Sequence, residues 1–299
     1  MNARVEAVPH VSRPKVLDVS VLTKPGIMFM VLVVASAAYW LAAAGQVDWA
    51  LLGWLLAGTA LMSGGAAALN MWLEREPDGL MRRTENRPLP AGRLSPATAA
   101  GVGLSMVVAG AAVLSFMVNP LTAGLGVISA GVYLFAYTPL KKISSTNTLV
   151  GAITGAMPPA MGWAAARGSV GIEAAVLFSI LFFWQMPHFL AIAWMYREDY
   201  ERAGFRMLVV GDVDGMTTAH QVIVQTTALV LASVAPVVIG MAGTGYMTAA
   251  LVLGAGFLAM GIRFAFARTR GRARALFFTS IVYLPALLGA LLLGATYGG

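Results

Sequence analysis

The chain has no cysteine, so disulfide frameworks, thiolate metal sites and cysteine nucleophiles are all closed to it. Charge is the second scarcity. Only 11% of the 299 residues are Asp, Glu, Lys or Arg, against roughly 25% in an ordinary globular domain. Hydrophobic residues make up 59% of the chain, and the mean hydropathy is +0.77. So little charge cannot cover a water-facing surface, whereas a lipid-facing one must avoid charge. The composition therefore points to a polytopic membrane protein. The net charge of +7 does not imply a nucleic-acid partner, because in such a chain the placement of cations carries the information. The first 24 residues mix Arg4, Arg13, Lys15 and Lys24 with Glu6 and Asp18, and read as a polar tail rather than a cleavable signal.

Nine apolar segments follow: 25–44, 49–69, 98–117, 121–138, 149–166, 172–195, 221–240, 245–266 and 276–297. Each is near the roughly 20 residues that cross a hydrocarbon core. Lipid offers unpaired backbone groups no partner, so each segment is predicted as a helix and the fold as an all-α bundle of nine spans forming one domain, 25–299. Pro158, Pro159 and Pro187 predict kinks, and the 33 glycines suit closely packed helices. With nine crossings, every one of the twenty Lys and Arg except Arg167 falls on the side of the N-terminus. By the positive-inside rule that side is cytoplasmic and the C-terminus lies outside.

Charge that is scarce elsewhere is concentrated between Asn70 and Arg93, NMWLEREPDGLMRRTENRPLPAGR, which holds four acids and five arginines. Asn70, Glu74 and Asp78 recur every four positions and share a helical face, provided Pro77 bends the helix rather than ending it. An amide oxygen and two carboxylates are ligands that Mg²⁺ prefers, with phosphate and water completing the shell. Arg82, Arg83, Asn86 and Arg87 come next, and arginine forks suit phosphate oxygens or, equally, anionic lipid heads. Tyr133 and Tyr137, followed by Lys141 and Lys142, read as interfacial anchors; a second reading makes Lys141 or Lys142 a further diphosphate contact. The run WQMPHFLAIAWMYRED places Trp184 and His188 one turn apart inside an apolar segment, where a histidine is costly without a cavity or partner. His188 could meet a carboxylate, ligate a metal or donate to a substrate carbonyl. Asp199 follows eleven residues later. The pattern of helix, acids, arginines and glycine loop at 70–93 has a loose echo at 196–215. The arginines at 267–274 read as topology and lipid contact. Together these features suit a helical bundle with a metal-assisted anion site at its cytoplasmic mouth. A diphosphate bound there would lay its hydrocarbon tail in the bundle.

Three blocks resemble, in order, the UbiA-type intramembrane prenyltransferases, and within them the branch that farnesylates haem. These are NMWLEREPDGLMRRTENRPLPAGR, AYTPLKKISSTNTLVGAITGAMPPAMGW and FWQMPHFLAIAWMYREDYERAG. The resemblance implies a bundle of nine transmembrane helices with a central cavity opening to the cytoplasm, in a bacterial inner membrane. It implies Mg²⁺ dependence, with farnesyl diphosphate and haem B as substrates: farnesyl moves to a haem vinyl group, water adds, and haem O and diphosphate result. Haem A synthase or a terminal oxidase would be assembly partners. Asn70, Glu74 and Asp78 match the first metal–diphosphate motif, with glutamate where aspartate is usual. Arg83, Asn86 and Arg87 match the basic loop, and Lys141 or Lys142 the lysine after the tyrosines. Asp199 matches the second acidic region, where Ala203 replaces a second acid and Tyr196 and Tyr200 are candidates to take part. Trp184 and His188 match the porphyrin side, with Tyr133 and Tyr137 as further acceptor-pocket candidates. The rivals are a UbiA-type enzyme acting on another aromatic or macrocyclic acceptor, and a transporter of an anionic lipid or metabolite.

Overall fold

The computed structural model describes residues 15–296, and among these there is no β-strand beyond an isolated bridge between Ala242 and Ala295. A short α1 (Lys15–Leu22) precedes α2 (Pro25–Ala43) and α3 (Trp49–Leu73). A six-residue α4 (Arg75–Leu80) leads to α5 (Pro96–Val113), α6 (Pro120–Gly131) and the single turn α7 (Thr138–Leu140). Next come α8 (Asn147–Gly155), α9 (Met157–Arg167) and α10 (Ile172–Met195). The chain continues through α11 (Arg197–Arg202) and α12 (Leu208–Gly211), and ends with α13 (Met216–Val238), α14 (Thr244–Phe266) and α15 (Arg270–Gly294). Eight continuous helical stretches among the described residues are long and apolar enough to cross a membrane, Pro96–Val118 and Pro120–Leu140 among them. The all-α polytopic expectation is met.

The fifth expected span, 149–166, is not one helix. It is broken at Ala156 into α8 and α9, because Pro158 and Pro159 can neither donate to nor clear the carbonyls one turn back. The freed Thr154 carbonyl takes the Ser129 hydroxyl at 3.1 Å, so the break leaves no orphan there. The broken pair still traverses the bundle. Asn147 at its start donates to the Arg206 carbonyl (3.1 Å), while the Ala164 carbonyl near its end accepts from Asn119 (3.0 Å). Two other proline effects are gentler. The stretches Leu114–Val118 and Val132–Tyr137 widen to π-helix just before Pro120 and Pro139, which cannot supply the next rung.

The expected tail, 1–24, is in part a helix. α1 buries Leu22 beside Met71, Leu89 and Leu94, and its buried Asp18 accepts two bonds from Arg93 at 3.0 and 3.1 Å. Residues 1–14 lie outside the described residues. α3 and α5 pack backbone to backbone: a Cβ on Gly65 would stand 2.7 Å from the Gly103 carbonyl, and one on Gly110 2.6 Å from the Met62 nitrogen. The charged connections gather at one end of the bundle. Arg206 N donates to the Lys141 carbonyl (2.6 Å), Arg82 N to Asp199 (3.4 Å) and Trp194 to the Arg268 carbonyl (2.9 Å).

Candidate functional site

The site is built where α3 runs out. α3 stops at Leu73, and Glu74 turns the backbone (φ −95°, ψ 10°) before α4 begins. The bend was expected at Pro77 but falls a turn earlier, because the proline ring crowds the Leu73 carbonyl and has no N–H to offer it. Backbone bonds Glu74 N→Asn70 O (2.9 Å) and Asp78 N→Glu74 O (2.8 Å) carry the ladder across the turn. The line Asn70–Glu74–Asp78 therefore survives, and all three side chains are buried.

Each of the three meets a cation of the chain. Asn70 Nδ2 donates to the Thr138 hydroxyl (3.0 Å), which itself donates to the Tyr133 carbonyl (2.8 Å). That fixes the amide so that its oxygen faces the site, where Lys24 Nζ donates to it at 2.8 Å. Lys141 Nζ lies 2.7 Å from Glu74 Oε1 and 3.0 Å from Oε2, hydrogen-bonding the second and leaving the first buried without a hydrogen bond. Arg87 Nη1 reaches Asp78 Oδ2 at 2.7 Å, and Thr84 closes the turn by donating to the Asp78 carbonyl at 2.7 Å.

The two lysines differ electrically. Burial, with Arg87 and Lys141 close by, lowers the pKa of Lys24 to about 7, since its direct partner is a neutral amide. Burial opposes the charge of Lys141 as well, but Tyr137 and Glu74 outweigh it and hold that pKa above the ordinary lysine value.

Asp199 is buried on α11 and accepts from Arg202 and from the Arg82 backbone. Arg83 crosses to the same side. Its guanidinium donates to the Tyr200 hydroxyl (3.1 Å) and lies 4.7 Å from the Tyr196 ring centre and 5.4 Å from that of Tyr200. Tyr133 and Tyr137 stack with centroids 5.3 Å apart, and Lys141 Nζ sits 4.6 Å from the Tyr137 ring. Of the expected pair Lys141 and Lys142, the first enters the cluster and the second is exposed. The Arg82 and Asn86 side chains are exposed as well, and these two residues contribute through their backbones: Arg82 N to Asp199, and the Asn86 carbonyl to Arg93 (3.0 Å). Trp184 and His188 are held apart from the acids, with their polar contacts to Ser280 of α15.

Lys24 was missed by sequence reasoning. A lysine before a span reads as a topology signal, and its left-handed backbone (φ 50°) is invisible in the sequence. One signal was there: a cation at the start of α2 opposes the helix macrodipole, and that calls for another reason to be present.

The donor chemistry fits a hard divalent cation. Asn70 Oδ1, both Glu74 oxygens and the Asp78 carboxylate are oxygen ligands, and the buried Glu74 Oε1 has unused capacity. Among the described residues no three His, Asp or Glu side chains converge into a closed cage. A cation here would need ligands brought by a substrate.

Residues 31–282 match the UbiA prenyltransferase family. The chain belongs to that family. A protoheme IX farnesyltransferase from Solibacter usitatus (strain Ellin6076) is 46% identical over 281 residues, covering 91% of this chain and 96% of the relative. In fold, this UbiA-family chain is similar to the structure described for digeranylgeranylglyceryl phosphate synthase, with TM-score 0.79, 14% identity, and coverage of 94% of this chain and 98% of that one. A UbiA homolog from Archaeoglobus fulgidus bound to GPP and Mg²⁺ superposes with TM-score 0.64 at 13% identity, covering 92% of this chain and 99% of that chain. Family membership makes the UbiA chain a prenyltransferase and displaces the transporter reading.

Proposed function

We propose that the chain transfers farnesyl from farnesyl diphosphate to a vinyl group of haem B, with addition of water, giving haem O and diphosphate. The observation that carries prenyl transfer is the buried matching of Asn70, Glu74 and Asp78 by Lys24, Lys141 and Arg87 at the charged end of an apolar bundle. The acceptor is supported by the name of the 46%-identical relative.

In this reading Asn70, Glu74 and Asp78 hold Mg²⁺, with Asp199 serving the same purpose from the second corner. The metal supplies neutralisation of the diphosphate and polarisation of its leaving oxygen. Lys24, Lys141, Arg83 and Arg87 turn from the chain's own acceptors to the diphosphate oxygens and stabilise the charge that grows as the carbon–oxygen bond breaks. Tyr133 and Tyr137 offer ring faces to the allylic cation, and the apolar bundle keeps water from quenching it. The terminal carbon of the haem vinyl group bonds to farnesyl C1. Water then adds to the cation left beside the porphyrin, and its proton departs with the diphosphate. Trp184 and His188 belong to the acceptor side.

The same reading puts the site on the cytoplasmic face of a bacterial inner membrane, with residues 25–299 acting as one domain and the C-terminus outside. Haem A synthase or a terminal oxidase would take up the product. Incubating the purified protein with haem B, farnesyl diphosphate and Mg²⁺ tests it: mass analysis finds haem B plus one farnesyl and one hydroxyl group, and chelation removes the product. Diphosphate release with haem B unchanged would overturn the acceptor. A reporter inserted at Gly92 reads out as cytoplasmic; an external signal would overturn the orientation.

A further inference from the structure

His188 and Trp184 stack on α10 with ring centroids 4.9 Å apart, and Phe277 of α15 stands 5.0 Å from the histidine ring. The Nδ1 of His188 lies 2.7 Å from the hydroxyl oxygen of Ser280. A neutral imidazole carries one ring proton, and the partner of one nitrogen decides which nitrogen holds it. Here the partner's own proton is committed. The Ser280 hydroxyl donates to the Phe277 carbonyl at 2.5 Å, one turn back on α15. A serine has a single hydroxyl hydrogen, so toward His188 its oxygen accepts. Nδ1 is then the donor, and Nε2 keeps a free electron pair. Ser280 is fully buried, and its carbonyl accepts the Trp184 indole N–H at 2.8 Å, so the same serine is tied to both aromatic residues. Nε2 makes no hydrogen bond among the described residues.

We propose that Ser280 is a positioning residue that holds His188 as the Nδ1–H tautomer, leaving the Nε2 electron pair free to bind an electron-accepting centre. On the acceptor reading above, on which this part rests, that centre is the iron of haem B. A histidine that ligates a metal through one nitrogen commonly donates through the other to a fixed partner, and loss of that partner weakens the metal bond.

The full-length protein labelled with ¹⁵N-histidine tests the tautomer directly. The chain has three histidines, and the His188→Ala spectrum identifies the signal of His188. The expected wild-type pattern is Nδ1–H. Ser280→Ala admits the Nε2–H form, and Ser280→Thr, which keeps the hydroxyl, restores the wild-type pattern. A wild-type Nε2–H pattern, or one unchanged by Ser280→Ala, would overturn the proposal. In a second arm, titration with haem B followed by absorbance gives a dissociation constant about tenfold weaker in Ser280→Ala, with KM for the prenyl diphosphate unchanged. Iron-free protoporphyrin binds wild type and Ser280→Ala alike. If the tautomer behaves as stated while haem B leaves the His188 signal unmoved, the role of the serine stands and the iron as its ligand is overturned.

Discussion

The corner at the end of α3 and the corner at the end of α10 share a backbone plan and differ in what surrounds the acid. Each long helix stops at a residue outside helical geometry, Glu74 or Tyr196, and each is followed by a six-residue helix carrying a buried aspartate, Asp78 or Asp199. The loose sequence echo between 70–93 and 196–215 thus has a counterpart in three dimensions. The partners diverge. The first corner draws Lys24 from before α2 and Lys141 from beyond α7, beside the nearer Arg87, so two of its three cations come from distant parts of the chain. The second is served by Arg202, three residues away on the same short helix, and by one backbone N–H. It gives back a tyrosine pair that holds Arg83 of the first. A common turn geometry therefore does not make a common site. What reaches into the turn does.

That asymmetry can be tested directly. Asp78→Ala is expected to lower turnover by about 10²–10³-fold, as removing an electrostatic stabiliser does, and Asp199→Ala by about tenfold, measured as diphosphate release in membranes at matched expression. Equal losses would erase the distinction. Breaking the buried pair comes next. The Lys141 and Glu74 side chains are 12% and 8% exposed, so Lys141→Ala leaves a buried carboxylate uncompensated and costs about 3 kcal/mol. Arg202 is 41% exposed, so Arg202→Ala costs less than about 1 kcal/mol. Thermal melting in detergent ranks the two, and adding Glu74→Gln to Lys141→Ala recovers stability without activity. An effect as small as that of Arg202→Ala is expected at the clamp on the first corner. Asp18→Asn weakens the bond from Arg93, which is 30% exposed, for a loss of about 1 kcal/mol, with earlier proteolysis in the 82–93 loop.

Much of this was legible because the physics of a membrane chain is blunt. Apolar runs of crossing length can hardly be anything but helices, and charge stands out against them. Asn70, Glu74 and Asp78 could be read from their spacing, since the helical repeat alone puts them in line. What could not be read depended on contacts between distant segments. α1 is too short and too mixed in character to announce itself, and it is held by Leu22 and by the Asp18–Arg93 pair. Lys141 and Lys142 are indistinguishable on paper, and only the direction of the turn after α7 separates them. The bend at Glu74 and the break at Ala156 follow from prolines three and two residues further on, a displacement that marking the proline itself does not reveal.

The seam between α3 and α5 has a consequence for the acids at the far end of α3. Backbone touches backbone at Gly65, Gly103 and Gly110, so one methyl group added at Gly110 would meet Met62 N at 2.6 Å and wedge the rods apart. From Met62 to Glu74 is twelve residues, a lever of about 18 Å, and any tilt introduced at the fulcrum is delivered to the carboxylates. Where Asn70, Glu74 and Asp78 sit is thus governed partly by places, several turns away, where no side chain exists at all.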